Sequence, residues 1–145
     1  MKIHRLDHVG INVEDLAAAK QFFLDLGLEV QGEMGLESEL LDAVTGLKNA
    51  KTEMVMMQTP DGEATLELVT FVRSSDKKGV QPSSANTLGL RHICFAVEDI
   101  EAIVAKMKKK GVKAFSEIQN YENIYKLLYL HGPEGIIVEL AEKLE

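Results

Sequence analysis

The sequence has one cysteine, few basic residues and no apolar run near the roughly 18 residues that a membrane span requires. Cys94 alone excludes an intrachain disulfide and fits a reducing compartment. Sixteen Lys+Arg against 23 Asp+Glu give a net charge of −7, which argues against nonspecific binding to nucleic acid or to an anionic membrane. The first residues lack the apolar segment of a signal peptide. We therefore expect a cytoplasmic protein with neither membrane nor nucleic acid as partner.

The remaining composition is that of an ordinary globular protein. Of 145 residues, 46% are apolar and 27% are charged, which excludes a disordered or fibrous chain. The length fits one domain or two small, joined halves. Phosphate-binding glycine loops and nucleophile motifs are absent from the sequence.

An internal repeat organises the chain. Residues 6–16, LDHVGINVEDL, return as residues 90–100, LRHICFAVEDI, with an offset of 84 and five identities in eleven positions. A second repeat joins a Pro-x-Gly turn to a Glu-Leu pair, at residues 60–68 and again at 133–140. The chain is therefore expected to contain two similar modules.

The modules are predicted at residues 4–72 and 88–142, with a polar, serine-rich linker at 73–87. Each reads as one strand, one helix and three further strands. We predict an α+β fold in which two tandem βαβββ modules form a cupped, barrel-like mixed sheet with the helices on the outside.

Individual elements follow from local patterns. The first module is expected to open with a strand over 5–13, followed by a helix that Asp15 caps and that Gly27 ends. A short extra helix is predicted within 36–46, in this module only. In the second module, the strand after the helix is predicted at 112–117.

One histidine and one glutamate recur in each module. Strand alternation places His8 and Glu67 on the face directed away from the helix, and the same holds for His92 and Glu139. A lone strand histidine is more often a packing or surface residue, but the recurrence in register favours a ligand role. Two imidazoles and two carboxylates on one surface indicate a divalent-metal site, and burial of two carboxylates without a cation would be costly.

Other side chains are weaker candidates. Packing is the favoured interpretation for three tyrosines and two methionines, and lining of a pocket is the alternative. A histidine in a predicted turn has a surface role as its default. These residues are Tyr121, Tyr125, Tyr129, Met54, Met56 and His131.

Taken together, these features resemble the vicinal oxygen chelate superfamily, which includes glyoxalase I, methylmalonyl-CoA epimerase, extradiol dioxygenases, fosfomycin-resistance enzymes and bleomycin-resistance proteins. The strongest signatures are the two His-x-x-x-x-Val-Glu-Asp stretches and the Gly-Pro-Glu-Gly-Ile-Ile-Val-Glu-Leu segment at 132–140. The resemblance implies that His8, Glu67, His92 and Glu139 surround one divalent metal ion. It also implies a small-molecule substrate with vicinal oxygens, and a homodimer.

The ligand set most resembles the glyoxalase and epimerase branches, which implies a metal-dependent lyase or isomerase. There the metal polarises a carbonyl and a carboxylate moves a proton. Glu139 or Glu67 would be that catalytic base, and Glu139 ranks first. Zn, Ni, Co, Mn or Fe would fit these ligands. The alternatives are a dioxygenase-type metal enzyme and a metal-free drug-binding protein. Pairing of the modules within one chain or across a dimer is open.

Overall fold

Hydrophobic periodicity and capping residues set the elements of the first unit, Met1–Gly79, in the computed structural model. The carboxylate of Asp15 accepts a hydrogen bond from the N–H of Ala18 at 3.0 Å, and Gly27 ends the helix with a φ of 120°. The opening strand is shorter than predicted, so His8 lies just before it. In chain order the elements are β1 (Val9–Asn12), α1 (Leu16–Leu26), β2 (Glu29–Leu36), α2 (Glu39–Thr45), β3 (Lys51–Gln58) and β4 (Thr65–Arg73).

The second unit, Val80–Glu145, repeats this order without a counterpart of α2. The strand predicted at 112–117 is wrong, because only one isolated bridge, from Ala114 to Leu130, forms there. Two backbone hydrogen bonds accompany this bridge, from the N–H of Phe115 to the Tyr129 carbonyl at 2.9 Å and from the N–H of His131 to the Lys113 carbonyl at 2.8 Å, so the pairing is limited to residues 113–115. The elements are β5 (His92–Ala96), α3 (Ile100–Lys109), β6 (Gln119–Tyr121), β7 (Tyr125–His131), a 3-10 turn (Pro133–Gly135) and β8 (Ile137–Lys143).

The structure describes residues 1–80 and 84–145. Residues 81–83 of the predicted linker therefore lie outside the described residues. Arg73, the first residue of that linker, is the last residue of β4. The predicted module and linker boundaries stay predictions.

Each unit forms one mixed sheet of the same topology. The described residues contain two four-stranded sheets, ordered β1-β4-β3-β2 and β5-β8-β7-β6. The opening strand is parallel to the last strand of its unit, and the other pairs are antiparallel. The α+β class and the two βαβββ modules are confirmed, whereas neither sheet closes into a barrel within the described residues.

The helix of each unit packs on one face of its sheet. In the first unit Phe23, Met57 and Leu68 are fully buried, and in the second unit Met107 and Leu140 are fully buried. Burial of these side chains is the main favourable contribution to folding. The opposite sheet face therefore carries the polar candidates. Every helix in the described part of the chain is too short or too polar to cross a bilayer.

Candidate functional site

The first candidate pair consists of His8 and Glu67. Strands β1 and β4 are parallel with Gly10 opposite Glu67, which brings the start of β1 beside the glutamate. The His8 Nε2 atom lies 3.3 Å from the Glu67 Oε2 atom. The imidazole is 39% exposed and the carboxylate 24% exposed, so both are accessible from solvent.

The second candidate pair, His92 and Glu139, has the same geometry. Strands β5 and β8 are parallel with Cys94 opposite Glu139. The His92 Nε2 atom lies 3.1 Å from the Glu139 Oε2 atom, and the carboxylate is 19% exposed. Each histidine therefore lies beside the glutamate of its own module.

The donor atoms of each pair fit a divalent cation. Ligands that bind one ion at about 2.0–2.2 Å and at roughly right angles lie about 3 Å apart. The measured separations of 3.3 Å and 3.1 Å match that spacing. Across the described residues, no group of three or more His, Cys, Asp or Glu side chains is arranged to hold a metal. Each pair thus offers two coordination positions.

Asp7 fixes the first histidine from its other side. The Asp7 Oδ2 atom lies 2.9 Å from the His8 Nδ1 atom. This hydrogen bond raises the pKa of the His8 imidazole, and the Glu67 carboxylate raises it further. It also lowers the pKa of Asp7, helped by the Arg5 guanidinium, which donates a hydrogen bond of 3.1 Å. An ionised carboxylate only accepts, so Nδ1 of His8 carries a proton.

The second histidine has different neighbours. The Tyr129 hydroxyl lies 3.5 Å from the His92 Nδ1 atom, and the two ring centroids are 5.0 Å apart. Tyr129 is also directly opposite Glu139 in the antiparallel register. Partial burial and the Glu139 carboxylate raise the pKa of the Cys94 thiol to about 11. Glu139 thus has one phenol and one protonated thiol beside it.

The two sheet faces differ in their apolar lining. Met56 is opposite Glu67 in the first unit, and Met54 shares its face, whereas Met57 is fully buried on the other face. Both methionines are half-buried on the face that carries Glu67, and their lining of a pocket stays a prediction. In the second unit, the Phe115 ring stacks on the His131 ring at 3.9 Å.

Sequence reasoning missed one of these neighbours. Asp7 was passed over although it directly precedes His8, and a carboxylate beside a candidate histidine is itself a signal. His131, which was expected in a turn with a surface role, is the exposed last residue of β7. Tyr129 contacts His92, whereas Tyr121 is 56% and Tyr125 37% exposed.

Comparison with known proteins identifies the family. Residues 7–129 match the model of the Glyoxalase/Bleomycin resistance protein/Dioxygenase superfamily, and the chain belongs to that superfamily. The crystal structure of a glyoxalase family protein from Bacillus cereus superposes with a TM-score of 0.95 at 39% identity, covering 100% of this chain and 97% of that one. The chain is therefore glyoxalase-like in fold and in sequence.

Two further relatives bear on activity. The mitochondrial methylmalonyl-CoA epimerase of Homo sapiens is 31% identical over 95% of this chain and 73% of its own length. The fosfomycin resistance protein FosX of Listeria monocytogenes, solved with Mn(II) and sulfate, has a TM-score of 0.63 at 16% identity and covers 97% of this chain and 93% of that one. The FosX likeness concerns the fold alone. These relatives place the chain in a glyoxalase- and epimerase-like family.

Proposed function

We propose that this protein is a divalent-metal-dependent isomerase or lyase that acts on a small substrate with vicinal oxygens. The observation that carries the proposal is the recurrence of one His–Glu pair in each module, with donor separations of 3.3 Å and 3.1 Å. Similarity to an epimerase supports the reaction class, and the imidazole and carboxylate donors support the metal. The ligands proposed for one ion are His8, Glu67, His92 and Glu139.

In this proposal, the histidines bind the ion and a glutamate accepts the proton. His8 and His92 would bind the ion through Nε2, because their Nδ1 atoms contact Asp7 and Tyr129. When bound, the ion would polarise a carbonyl oxygen of the substrate and stabilise negative charge there. A glutamate would accept the proton from the carbon next to that carbonyl.

Glu139 is the better candidate for the base. Tyr129 is directly opposite it in the strand register, and the Cys94 thiol forms a side-chain hydrogen bond with it. Glu67 instead has the apolar Met56 opposite it. Hydrogen-bond donors beside a carboxylate can orient it for proton abstraction, and the protonated carboxyl group would then return its proton to the substrate, which favours Glu139 over Glu67.

We further propose a cytoplasmic homodimer. Its modules would be residues 4–72 and 88–142, joined by the linker at 73–87. Because each pair supplies two ligands, the four-ligand set needs a first and a second module together, from one chain or from two. Zn, Ni, Co, Mn and Fe all accept imidazole and carboxylate ligands, so the metal has to be measured.

The test is elemental mass spectrometry of the untagged protein. We expect near-stoichiometric metal in the wild type and its loss in His8→Ala and in His92→Ala, with His4→Ala as the matched control. Circular dichroism verifies that each variant is folded. A wild type that stays empty after incubation with each ion would overturn the proposal and favour a metal-free binding protein. Iron together with oxygen-dependent turnover would favour a dioxygenase.

The same measurement shows whether the two modules of one metal site come from one chain or from two. His8→Ala and His92→Ala chains are co-expressed with different tags, and the mixed dimer is purified. If modules of different chains share an ion, one of the two sites in the mixed dimer is intact and binds metal. If both modules of a site come from one chain, the mixed dimer stays empty.

A further inference from the structure

The Nδ1 atoms of the two histidines are held by different chemistry. His8 has the Asp7 carboxylate at 2.9 Å, whereas His92 has the Tyr129 hydroxyl at 3.5 Å, at the limit of a hydrogen bond. At the repeat offset of 84, Asp7 corresponds to Arg91, which offers no acceptor. The Nε atom of Arg91 is buried and has no hydrogen-bond partner among the described residues. The second module thus lacks the carboxylate that the first provides.

This difference concerns the proton on Nδ1. A carboxylate only accepts, so Asp7 holds a proton on the Nδ1 atom of His8, whereas the Tyr129 hydroxyl can accept from or donate to the Nδ1 atom of His92. Without metal, the Nε2 atom of each ring faces a glutamate that also only accepts, and an ion bound by the pair would take the place of the proton on Nε2. Binding of a metal through Nε2 therefore leaves the ring proton on Nδ1, which is the arrangement that Asp7 stabilises in the first module.

We infer that Asp7 is a positioning residue which prepares His8 for metal binding, so that the first module binds the ion more strongly than the second. A hydrogen-bonded carboxylate on the far nitrogen fixes the ring and increases the basicity of the ligand. The inference rests on the proposed metal-binding function. Arg5 contributes only through Asp7, with which it forms an exposed ion pair.

The first test uses nuclear magnetic resonance on the metal-free protein. Imidazole ¹⁵N shifts, recorded above the titration of the rings, report the tautomer. Glu67→Ala and Glu139→Ala are introduced first, so that no glutamate competes for a proton on Nε2. In this background we expect His8 to be Nδ1–H and to lose this preference when Asp7→Ala is added, while His92 is unchanged. Arg5→Gln is the matched control, because it removes the ion pair and retains the carboxylate. An unchanged His8 tautomer in Asp7→Ala would overturn the inference.

The second test measures metal affinity by chelator competition with Zn²⁺. We expect Asp7→Ala to weaken binding about 10- to 100-fold, the usual effect of losing such a partner. Tyr129→Phe keeps the ring, removes the hydroxyl, and should weaken binding less. If Tyr129→Phe lost as much metal affinity as Asp7→Ala or more, the inference that the first module binds the ion more strongly would be wrong. If the wild type binds no metal, the proposed function fails, while the tautomer result still decides the role of Asp7.

Discussion

The two units share one topology but differ in which side chains surround the histidine and the glutamate of each candidate pair. In the first unit His8 is held by a carboxylate and Glu67 faces a methionine. In the second unit His92 lies against a tyrosine, and Glu139 adjoins a tyrosine and a cysteine. The strand pairing keeps each histidine beside its glutamate, while the neighbouring residues have diverged. Under the proposed function, this difference would suit the first half to metal binding and the second half to proton transfer.

The largest effect is expected in the helix–sheet cores. At the repeat offset of 84, Phe23 corresponds to Met107, and both side chains are fully buried. Phe23→Ala should lower the free energy of unfolding by about 3–5 kcal/mol and Met107→Ala by about 2–5 kcal/mol. Phe23 should lose more, because its ring also packs edge-to-face on Phe22 at 5.1 Å.

Urea denaturation followed by circular dichroism measures both values. The exposed Gln21 of the same helix is the control, since Gln21→Ala should change stability by no more than about 0.5 kcal/mol. Phe23→Met, which gives the first unit the residue of the second, should cost less than Phe23→Ala. If Phe23→Ala lowered the free energy of unfolding less than Met107→Ala, the expectation that the aromatic contact makes Phe23 the larger contributor would be wrong.

Much of the fold could be predicted from the sequence, because the internal repeat indicates two modules and the alternation of apolar and polar residues indicates their strands. Asp15 and Gly27 mark the ends of α1 that the local pattern already indicates. The strand predicted at 112–117 is too long, because backbone hydrogen bonds to β7 form only at Lys113 and Phe115. Local alternation does not show how far such a long-range pairing extends.

The candidate site was predictable in part. The pairing of histidine with glutamate follows from strand alternation, and the structure shows it inside each module. The contact of Tyr129 with His92 could not be read from the sequence, because it depends on which residues of β7 and β8 lie opposite each other. A register is a long-range property, and one residue of slip would reverse the face of Tyr129.

The second effect concerns the thiol beside Glu139. In protein stripped of metal, Cys94 should react with iodoacetamide along a pH profile with a midpoint of about 11. Compared with a thiol of the ordinary pKa of 9.0, the thiolate fraction at pH 8.5 is about 75-fold lower, so alkylation is correspondingly slow. Glu139→Gln should lower this midpoint, because it removes the neighbouring negative charge, whereas burial continues to raise it.

A matched thiol can be placed in the first unit. Gly10 corresponds to Cys94, is opposite Glu67, and has open space where a Cβ would lie. In a Cys94→Ala background, Gly10→Cys should also titrate above the ordinary range. If the thiol of Gly10→Cys titrates in the ordinary range, the environment that raises the pKa of Cys94 is specific to the second unit. This result would strengthen the proposal that Glu139 is the base.

The smallest effect is expected at the helix N-termini. Asp15 caps α1 with an ordinary negative φ, whereas Asp99 caps α3 with a φ of 56°, in the left-handed region. Replacement by Ala should cost about 0.5–2 kcal/mol at either position through the lost cap. Ala at position 99 also has to adopt the left-handed conformation, which adds about 1 kcal/mol, whereas Gly does not bear this strain.

The Ala–Gly difference in unfolding free energy should therefore be about 1 kcal/mol larger at position 99 than at position 15. Urea titration of the four variants measures it, and the comparison cancels the cap itself because both replacements remove the carboxylate. The Glu142 carboxylate accepts from the N–H groups of Asp99 and Ile100, which holds this turn in place when the cap is lost. Equal differences at the two positions would mean that the turn before α3 relaxes to negative φ, and the N-terminus of α3 would then be no more constrained than that of α1.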